Sequence, residues 1–332
     1  MNVFKTINLK GFGEKHSGKV RDYYIIDSKR ILITTDRISA FDINLGFIPY
    51  KGAVLNLLSA FWFNKTKNII RNHLISIPDP NVTIAKNVKP IPIEMVIRGY
   101  ITGVTNTSIW GSYEAGERII YGIKFSESLR KNQKLKKPAI TPTTKAEKGH
   151  DERLTEKEIL KKKIVSAKLW NQMKKASLKL FEYGTKICSK AGIILVDTKY
   201  EFGLDEKGKL ILIDEVHTPD SSRFWIKKTY LKRFKKREEP DNFDKEFLRL
   251  WYADRGYKGD PSTSPSMIPR SSGPRGSGRV AKPPKMPVSL QKAVSRRYIE
   301  IYKKITGKKF TKFKYPIEKR IRDNLKSVYA KK

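Results

Sequence analysis

Three charged side chains alternate along one strand-like stretch near the middle of the sequence. Side chains of an extended strand alternate between its two faces, so Asp197, Lys199 and Glu201 share one face of the segment GIILVDTKYEFG, residues 192–203. The residues between them are largely apolar and take the other face. Because a purely structural strand has little use for an acid–base–acid face, we expect this strand to carry chemistry.

A second strand-like stretch follows and ends in two acids. Leu210–Ile213 is apolar and precedes Asp214 and Glu215, and the intervening LDEKGK predicts a hairpin turn. If the loop is the four residues 206–209, Glu201 lies opposite Asp214. Facing carboxylates repel unless a cation lies between them, and Mg²⁺ takes oxygen ligands. The hairpin therefore predicts a metal–nucleotide site with Glu201 and Asp214 as metal ligands.

The run HSGKVRDYY, residues 16–24, places Gly18, Lys19 and Arg21 at the start of a predicted strand. Backbone amides at such a turn can approach phosphate oxygens, and the two cations neutralise their charge. The run is neither a P-loop nor a dinucleotide fingerprint, so by itself it fits a surface β-turn better.

Two further segments combine apolar runs with charged or polar groups. TTDRISAFD, residues 34–42, contains Ser39 and Asp42, and its polar residues fit either a binding edge or a cap and turn. In PIPIEMVIRGYITG, residues 90–103, Glu94 and Arg98 share one strand face. A buried charged pair is costly unless both members are satisfied, so we favour a functional role over an ion pair that braces two lobes.

Two turn-rich segments offer substrate-binding groups. TPTTKAEKGHDE, residues 141–152, contains Lys145, Glu147, His150 and Asp151, and the lack of a second histidine at ligand spacing argues against zinc. A substrate-positioning loop and a solvated charged loop both remain open there. HTPDSSRFW, residues 217–225, offers Asp220, Ser221 and Arg223, which suit phosphate or carboxylate recognition but also fit an N-capped turn.

The composition limits the class of protein. The 332 residues include 70 Lys and Arg against 33 Asp and Glu, a net charge of +37, and a single cysteine, Cys188, which excludes an intrachain disulfide. The lysines are spread over the whole chain, so we treat the charge as compositional bias and nucleic-acid binding as secondary. The sequence shows no secretory signal and no apolar run of membrane-spanning length, and it predicts a cytoplasmic protein without a membrane partner.

The order of predicted elements is mixed. Short strands around a turn at 27–29 precede a helix over 53–70, and the best helical region covers 155–191, with a Thr155–Glu158 capping box and a break at Gly184. Further helices are predicted over 243–253 and 288–305. The Ser/Pro/Gly/Arg-rich stretch 261–287 predicts a disordered or loosely held loop.

Taken in order, GKVRDYY, TTDRISAFD, PIPIEMVIRGYITG, WGSYEAG, TPTTKAEKGHDE and VDTKYEFG resemble the motifs of the SAICAR synthetase family over residues 12–260 and 288–310. The resemblance implies a two-lobed α+β fold with a small antiparallel β lobe, a larger α/β lobe and an ATP cleft between them. It further implies residues 1–88 as the small lobe, 89–260 as the larger lobe, 261–287 as a flexible insert and 288–332 as a helical segment packing on the larger lobe.

The resemblance also implies the reaction. ATP, the carboxylate of carboxyaminoimidazole ribonucleotide (CAIR) and L-aspartate would give SAICAR, ADP and phosphate in purine biosynthesis, through an acyl phosphate, with Mg²⁺ and ATP as cofactors. A phosphotransferase without an aspartate-dependent product, a nucleic-acid-binding protein and an inactive homologue are the alternatives. The oligomeric state stays open.

Residue roles follow from the same resemblance. The acids Glu201 and Asp214 would hold Mg²⁺. The remaining residues are expected to act in catalysis (Lys199, Asp197, Lys145, Glu147, Asp151), in nucleotide binding (Gly18, Lys19, Arg21, Ile84, Ala85, Lys86, with adenine against the backbone of 84–86) and in substrate binding (Ser39, Asp42, Glu94, Arg98, Asp220, Ser221, Arg223).

Val104 departs from the family pattern, which has a serine after the Thr-Gly of the first signature. A hydroxyl that could bind the ribonucleotide phosphate is then missing, unless Thr105 or backbone amides replace it. We expect Val104→Ser to lower the Michaelis constant for CAIR. Steady-state kinetics of the two chains test this, and equal constants would show that the missing hydroxyl has no part in binding.

The insert over 261–287 is longer and more basic than the link expected from the family, and it contains none of the predicted site residues. Its deletion should therefore leave turnover near normal. A comparison of kcat between the full chain and the deletion variant measures this, and a large loss of activity would assign the insert a part in the reaction.

Overall fold

The computed structural model describes residues 2–41, 43–103, 108–145, 151–257 and 282–329. Helices and antiparallel sheets alternate through these residues in the two-lobed α+β arrangement that the sequence predicts. Among the described residues, none of the helices combines the length and the apolar composition that a membrane crossing requires.

The first part of the chain builds the smaller lobe. Its elements are β1 (His16–Ser17), β2 (Arg21–Ile26), β3 (Lys29–Thr34), β4 (Arg37–Ala40), β5 (Ile43–Phe47), α1 (Lys51–Thr66), β6 (Leu74–Asp79) and β7 (Val82–Lys86). Five of the strands form an antiparallel sheet in the order β1-β2-β3-β7-β6, and β4 pairs with β5. The turn between β2 and β3 falls where the sequence predicts it.

The larger lobe is organised around two long antiparallel strands, β8 and β13. Its elements are β8 (Lys89–Ile101), α2 (Ile109–Glu114), β9 (Ile119–Ile120), β10 (Ile123–Lys124), β11 (Gln133–Ile140), β12 (Thr143–Thr144), α3 (Glu156–Lys161), α4 (Ala167–Lys190), β13 (Ile193–Leu204), β14 (Leu210–Ile213) and β15 (Ser222–Ile226). β11 and β12 pair with β8, whereas β14 and β15 pair with β13. The main apolar core lies between this sheet and the helices.

The C-terminal part of the described chain is helical and reaches both lobes. It consists of α5 (Lys227–Lys235), α6 (Glu246–Ala253), α7 (Val288–Thr306) and α8 (Glu318–Tyr329). α7 packs in the main core beside α1, but α8 buries Ile321 and Leu325 against the small sheet. The expectation that the whole segment packs on the larger lobe is therefore wrong for α8. An amphipathic pattern predicts a helix but does not specify which sheet it covers.

Asp79 of β6 fastens α8 to the small lobe. Its buried carboxylate accepts two hydrogen bonds from the Arg320 guanidinium, at 2.8 and 3.0 Å, and a third from the Asn324 amide at 2.8 Å. The bidentate geometry adds orientation to charge pairing. The small lobe is thus closed by residues from near the end of the chain.

The predicted helix over 155–191 is two helices, because the chain turns between α3 and α4 at 162–166. The Thr155–Glu158 capping box is confirmed at the start of α3. Gly184 does not break α4. Its missing side chain lets the helix pack directly against the ring of His217, because a Cβ there would lie 2.7 Å from the ring Nδ1.

We expect Gly184→Ala to lower the free energy of unfolding by about 2 kcal/mol, because the added methyl overpacks a buried site. A loss of stability would indicate the close packing against His217, since a change from glycine to alanine inside a helix otherwise stabilises by about 1 kcal/mol. His217 cannot move away easily, because it is fully buried and its Nε2 lies 2.5 Å from the Tyr200 hydroxyl. Urea denaturation measures the change.

The exposed neighbour Thr185→Ala is the matched control for Gly184→Ala, and it should be neutral or slightly stabilising. A Gly184→Ala variant as stable as this control would contradict the close approach of α4 to His217.

Most of the predicted insert lies outside the described residues, which resume at 282. Met286, near the end of the insert, is buried in the main core. The division of the chain at 88, 260 and 287 stays a prediction.

Candidate active site

A polar cavity lies where the small sheet faces α1 and the end of β14. The small sheet contributes Arg21, Leu32, Thr34 and Thr83, α1 contributes Leu55, Asn56, Ser59 and Phe63, and Asp214 and Glu215 complete the lining. The ion pair between Arg21 and Asp214 crosses this cavity and connects the two lobes. The cleft between the lobes is therefore the place where the predicted nucleotide and metal residues meet.

The Lys199 ammonium lies among three carboxylates at the edge of this cleft. Its Nζ is 3.0 Å from Glu94 Oε1 and 3.2 Å from Asp214 Oδ2, and it also pairs with Glu201. The pairing of β13 with β8 sets this arrangement, because Glu201 lies directly opposite Glu94 and Lys199 is two residues away on the same face.

The expected register between Glu201 and Asp214 is wrong by one residue. Leu204 pairs with Leu210, so the hairpin loop has five residues, 205–209, and Glu201 lies opposite Ile213. Asp214 is the first residue after β14, and its positive φ of 67° turns its carboxylate back toward Lys199. The carboxylate that faces Glu201 across a ladder is Glu94, a long-range partner that local spacing does not reveal.

Cations from separate elements balance the negative charges of the acids in this cluster. Arg21 pairs with Asp214, and Lys145 pairs with Glu201. Although burial would raise the pKa of Asp214, Arg21, Lys199 and Lys145 hold it well below its ordinary value. Burial would lower the pKa of Lys199, but the surrounding acids raise it well above the ordinary value, so the group stays an ammonium.

Within the described ranges Glu94 pairs with Lys199 alone, whereas each of the other two carboxylates also pairs with a second cation. Burial, followed by repulsion from Glu201 and Asp151, raises the pKa of Glu94 to about 7, against the opposing effect of Lys199. Burial is the largest cause of this raised pKa.

Asp197 shares the face of Lys199, as predicted, but does not contact it. Its Oδ2 accepts hydrogen bonds from Arg223 at 2.6 Å and from Arg98 at 3.2 Å. Two guanidinium groups thus share one carboxylate, and Arg223 Nε also lies 3.6 Å from Glu246 Oε2. Adjacent guanidinium groups suit a phosphate or carboxylate ligand. The nearby Gly103, at φ 99°, gives the Arg223 guanidinium room, because a Cβ there would lie 3.0 Å from Nη2.

Asp220 and Ser221 belong to the loop that precedes β15. The carboxylate oxygens of Asp220 face Lys51 at 2.8 Å and the Tyr298 hydroxyl at 2.8 Å, and its contact with substrate stays a prediction. The Ser221 carbonyl accepts a hydrogen bond from the Lys199 backbone N–H at 2.9 Å. The loop therefore attaches to the strand that carries Lys199.

The predicted nucleotide-binding residues are only partly brought together. Gly18 and Arg21 close the β1–β2 turn through a 2.8 Å backbone hydrogen bond, and Lys19 lies within this turn. Residues 84–86 lie in β7, which is paired on both sides, and the Lys86 N–H donates to His73. The expected contact of adenine with the backbone of 84–86 stays a prediction.

The other predicted residues are spread around the cleft. Ser39 is buried in β4 and its carbonyl accepts from Lys245 at 3.4 Å, and Asp151 lies close enough to raise the pKa of Glu94. Asp42, Glu147, His150, Val104 and Thr105 lie outside the described residues.

Several cavity residues were given no role from the sequence, among them Glu215, Thr83 and Asn56. Glu215 accepts a hydrogen bond from Thr218 at 3.0 Å, and Thr83 donates to Asn56 at 2.6 Å. Glu215 was visible as the second acid after β14, but α1 carries no motif that would indicate Asn56. Such a residue is found only when the helix is placed against the sheet.

The acids beside Lys199 are the candidate ligands for a divalent cation. Within the described ranges, no group of three His, Cys, Asp or Glu side chains is placed to hold a metal ion. Glu201 and Asp214 both bind the same ammonium and supply hard oxygen atoms. Two carboxylates fit Mg²⁺ if phosphate oxygens and water supply its other ligands, which is its usual mode of binding beside nucleotides.

Comparisons with known proteins support one family. Residues 14–264 match the family model for SAICAR synthetase. A phosphoribosylaminoimidazole-succinocarboxamide synthase of Legionella pneumophila (strain Paris) is 48% identical over 299 residues, 90% of this chain and 89% of the relative. A chloroplastic enzyme of the same name from Arabidopsis thaliana is 43% identical over 306 residues, 92% of this chain and 69% of the relative.

The fold resembles solved structures of the same name. A SAICAR synthase from Saccharomyces cerevisiae, complexed with SAICAR, aligns with a TM-score of 0.74 and 30% identity. The alignment covers 93% of this chain and all of that one.

Proposed function

The chain belongs to the SAICAR synthetase family of purine-biosynthesis ligases, and we propose that it joins L-aspartate to the carboxylate of CAIR with consumption of ATP. The observation that carries this proposal is the Lys199 ammonium, held by three carboxylates beside the cleft between the lobes. A fixed cation flanked by acids suits transfer of a phosphoryl group, where charge spreads over several oxygens.

The proposed chemistry has two steps. A carboxylate oxygen of CAIR attacks the terminal phosphorus of ATP, the bond to the bridging oxygen breaks, and ADP leaves. The amine of aspartate then attacks the acyl carbon, phosphate leaves with the carbon–oxygen bond electrons, and the amine loses a proton. Phosphorylation is needed because a free carboxylate is a poor electrophile.

The residues of this chain bind and orient in these steps. Lys199 would neutralise charge on the transferred group, and Arg21 would face the nucleotide phosphates across the cavity. Arg98 and Arg223 would bind an anionic group of CAIR, since both guanidinium groups lie at the Asp197 carboxylate. Glu201 and Asp214 would hold Mg²⁺, which neutralises phosphate charge when bound.

The deciding experiment measures ADP release by purified protein supplied with ATP, Mg²⁺, CAIR and aspartate, with each omitted in turn. The proposal requires release that depends on both CAIR and aspartate, together with formation of SAICAR. ADP release that is independent of aspartate would instead support a phosphotransferase.

The metal pair is tested in the same assay. Glu201→Ala and Asp214→Ala should each abolish aspartate-dependent ADP release and raise the Mg²⁺ concentration needed for half-maximal activity. Glu206→Ala, an exposed acid in the hairpin loop, is the matched control. Unchanged activity in either variant would reject the pair as metal ligands.

A further inference from the structure

We propose that Tyr298 of α7 is a positioning residue that holds the loop 218–222 against the strand carrying Lys199. The part of this inference that concerns CAIR rests on the proposed function, whereas the attachment of the loop does not. Tyr298 lies beyond residues 14–264, which match the family model, so it belongs to a part of the chain that this model does not cover.

The first step is the contact between α7 and the loop. The buried Tyr298 hydroxyl donates a 2.8 Å hydrogen bond to Asp220 Oδ1. The other oxygen, Oδ2, lies 2.8 Å from the fully buried Lys51 ammonium and 3.7 Å from that of Lys245. Asp220 therefore joins α7, α1 and the start of α6 at one carboxylate.

The second step leads from Asp220 to the reacting groups. The next residue, Ser221, accepts the hydrogen bond from the Lys199 backbone N–H, and Ser222 donates its hydroxyl to Thr198 at 2.7 Å. Arg223 follows directly and binds Asp197 at 2.6 Å. A shift of Asp220 would thus be transmitted through two or three residues to both Lys199 and Arg223.

Neither lysine replaces the tyrosine in this role. Lys51 and Lys245 both approach Oδ2 and neutralise the charge, whereas the hydrogen bond that Oδ1 accepts within the described ranges comes from the Tyr298 hydroxyl. A carboxylate held at one oxygen can still rotate about its side-chain bonds, whereas bonds at both oxygens set its orientation. The Tyr298 hydroxyl therefore fixes the orientation of the Asp220 carboxylate. Its loss should increase the mobility of the loop while the buried charges stay paired.

The test is Tyr298→Phe, which removes one hydroxyl and keeps the buried ring. We expect the Lys199 amide to exchange with solvent at least tenfold faster, measured by hydrogen exchange on the full chain without ligands. Amides of the β8–β13 ladder should keep their protection. Calorimetry should show about tenfold weaker binding of CAIR, with ADP affinity unchanged.

Tyr302→Phe is the control, since Tyr302 lies on the same helix and packs against Phe310 instead of the loop. It should leave exchange at Lys199 and CAIR affinity as they are. Unchanged exchange in Tyr298→Phe would overturn the proposal, as would faster exchange with normal CAIR binding or an equal loss of affinity for both ligands.

The two proposals fail in different ways. A natural chain that makes no SAICAR and binds no CAIR would refute the proposed function, while hydrogen exchange would still decide whether Tyr298 holds the loop.

Discussion

Replacing Lys199 by methionine is expected to lower kcat by about 10²- to 10³-fold, the loss usually seen when one fixed donor to a transition state is removed. Methionine keeps the length of the side chain but removes the ammonium that pairs with Glu94, Glu201 and Asp214 together. The transferred phosphoryl group would then face uncompensated acids. Steady-state kinetics with saturating ATP, CAIR and aspartate measure the effect.

Two companion variants separate catalysis from stability. Lys209→Met changes an exposed lysine in the same hairpin and should keep full activity. Lys199→Arg keeps the charge, so it should fold with near-normal stability in urea denaturation, but its planar group should not restore kcat. A methionine variant whose kcat stays within threefold of the natural chain would exclude Lys199 from the chemical step.

The face carried by Asp197, Lys199 and Glu201 was predictable because strand alternation is a local property. The register with β14 was not, since a four-residue and a five-residue loop fit the turn sequence LDEKGK equally well. One residue of loop length decides whether Glu201 lies opposite Asp214 or Ile213. The correct acids were identified, but their mutual geometry depended on a turn that composition does not specify.

Pairing between strands that are distant in sequence explains the remaining differences between the predicted and the observed contacts. Glu94 and Glu201 are 107 residues apart in sequence and face each other only because β8 pairs with β13. Asp197 shares the predicted face with Lys199 and yet bonds to Arg98 and Arg223, since Arg98 lies directly opposite on β8. The sequence pattern predicted the charged groups, and the strand pairing decided which of them are partners.

The C-terminal helices show the same limit. Helices were predicted over 243–253 and 288–305, where α6 and α7 lie, but nothing local placed Tyr298 beside Asp220 or Arg320 beside Asp79. Both contacts join residues more than 70 positions apart. One contact attaches α7 to the loop before β15 and the other attaches α8 to the small sheet, and neither follows from local sequence.

Replacing Arg98 and Arg223 is the second change with a large expected effect: single variants should lose affinity for CAIR, and the double variant should also lose stability. Arg98→Met or Arg223→Met should each raise the Michaelis constant for CAIR by roughly 10- to 100-fold, as for loss of a charged hydrogen bond. Each single variant should fold normally, because Asp197 keeps the other guanidinium at 2.6 or 3.2 Å. Kinetics and urea denaturation measure the two quantities separately.

The double variant should lose about 3–5 kcal/mol of stability, because Asp197 is 5% exposed and would remain buried without either cation. The excess over the sum of the single variants measures the coupling through the shared carboxylate. Arg71→Met, which breaks an exposed pair with Asp205, is the control and should cost less than about 1 kcal/mol. Adding Asp197→Asn to the double variant should recover most of the lost stability, since it removes the unpaired charge. If stability losses were additive across Arg98 and Arg223, the two arginines would be acting through separate partners instead of through Asp197.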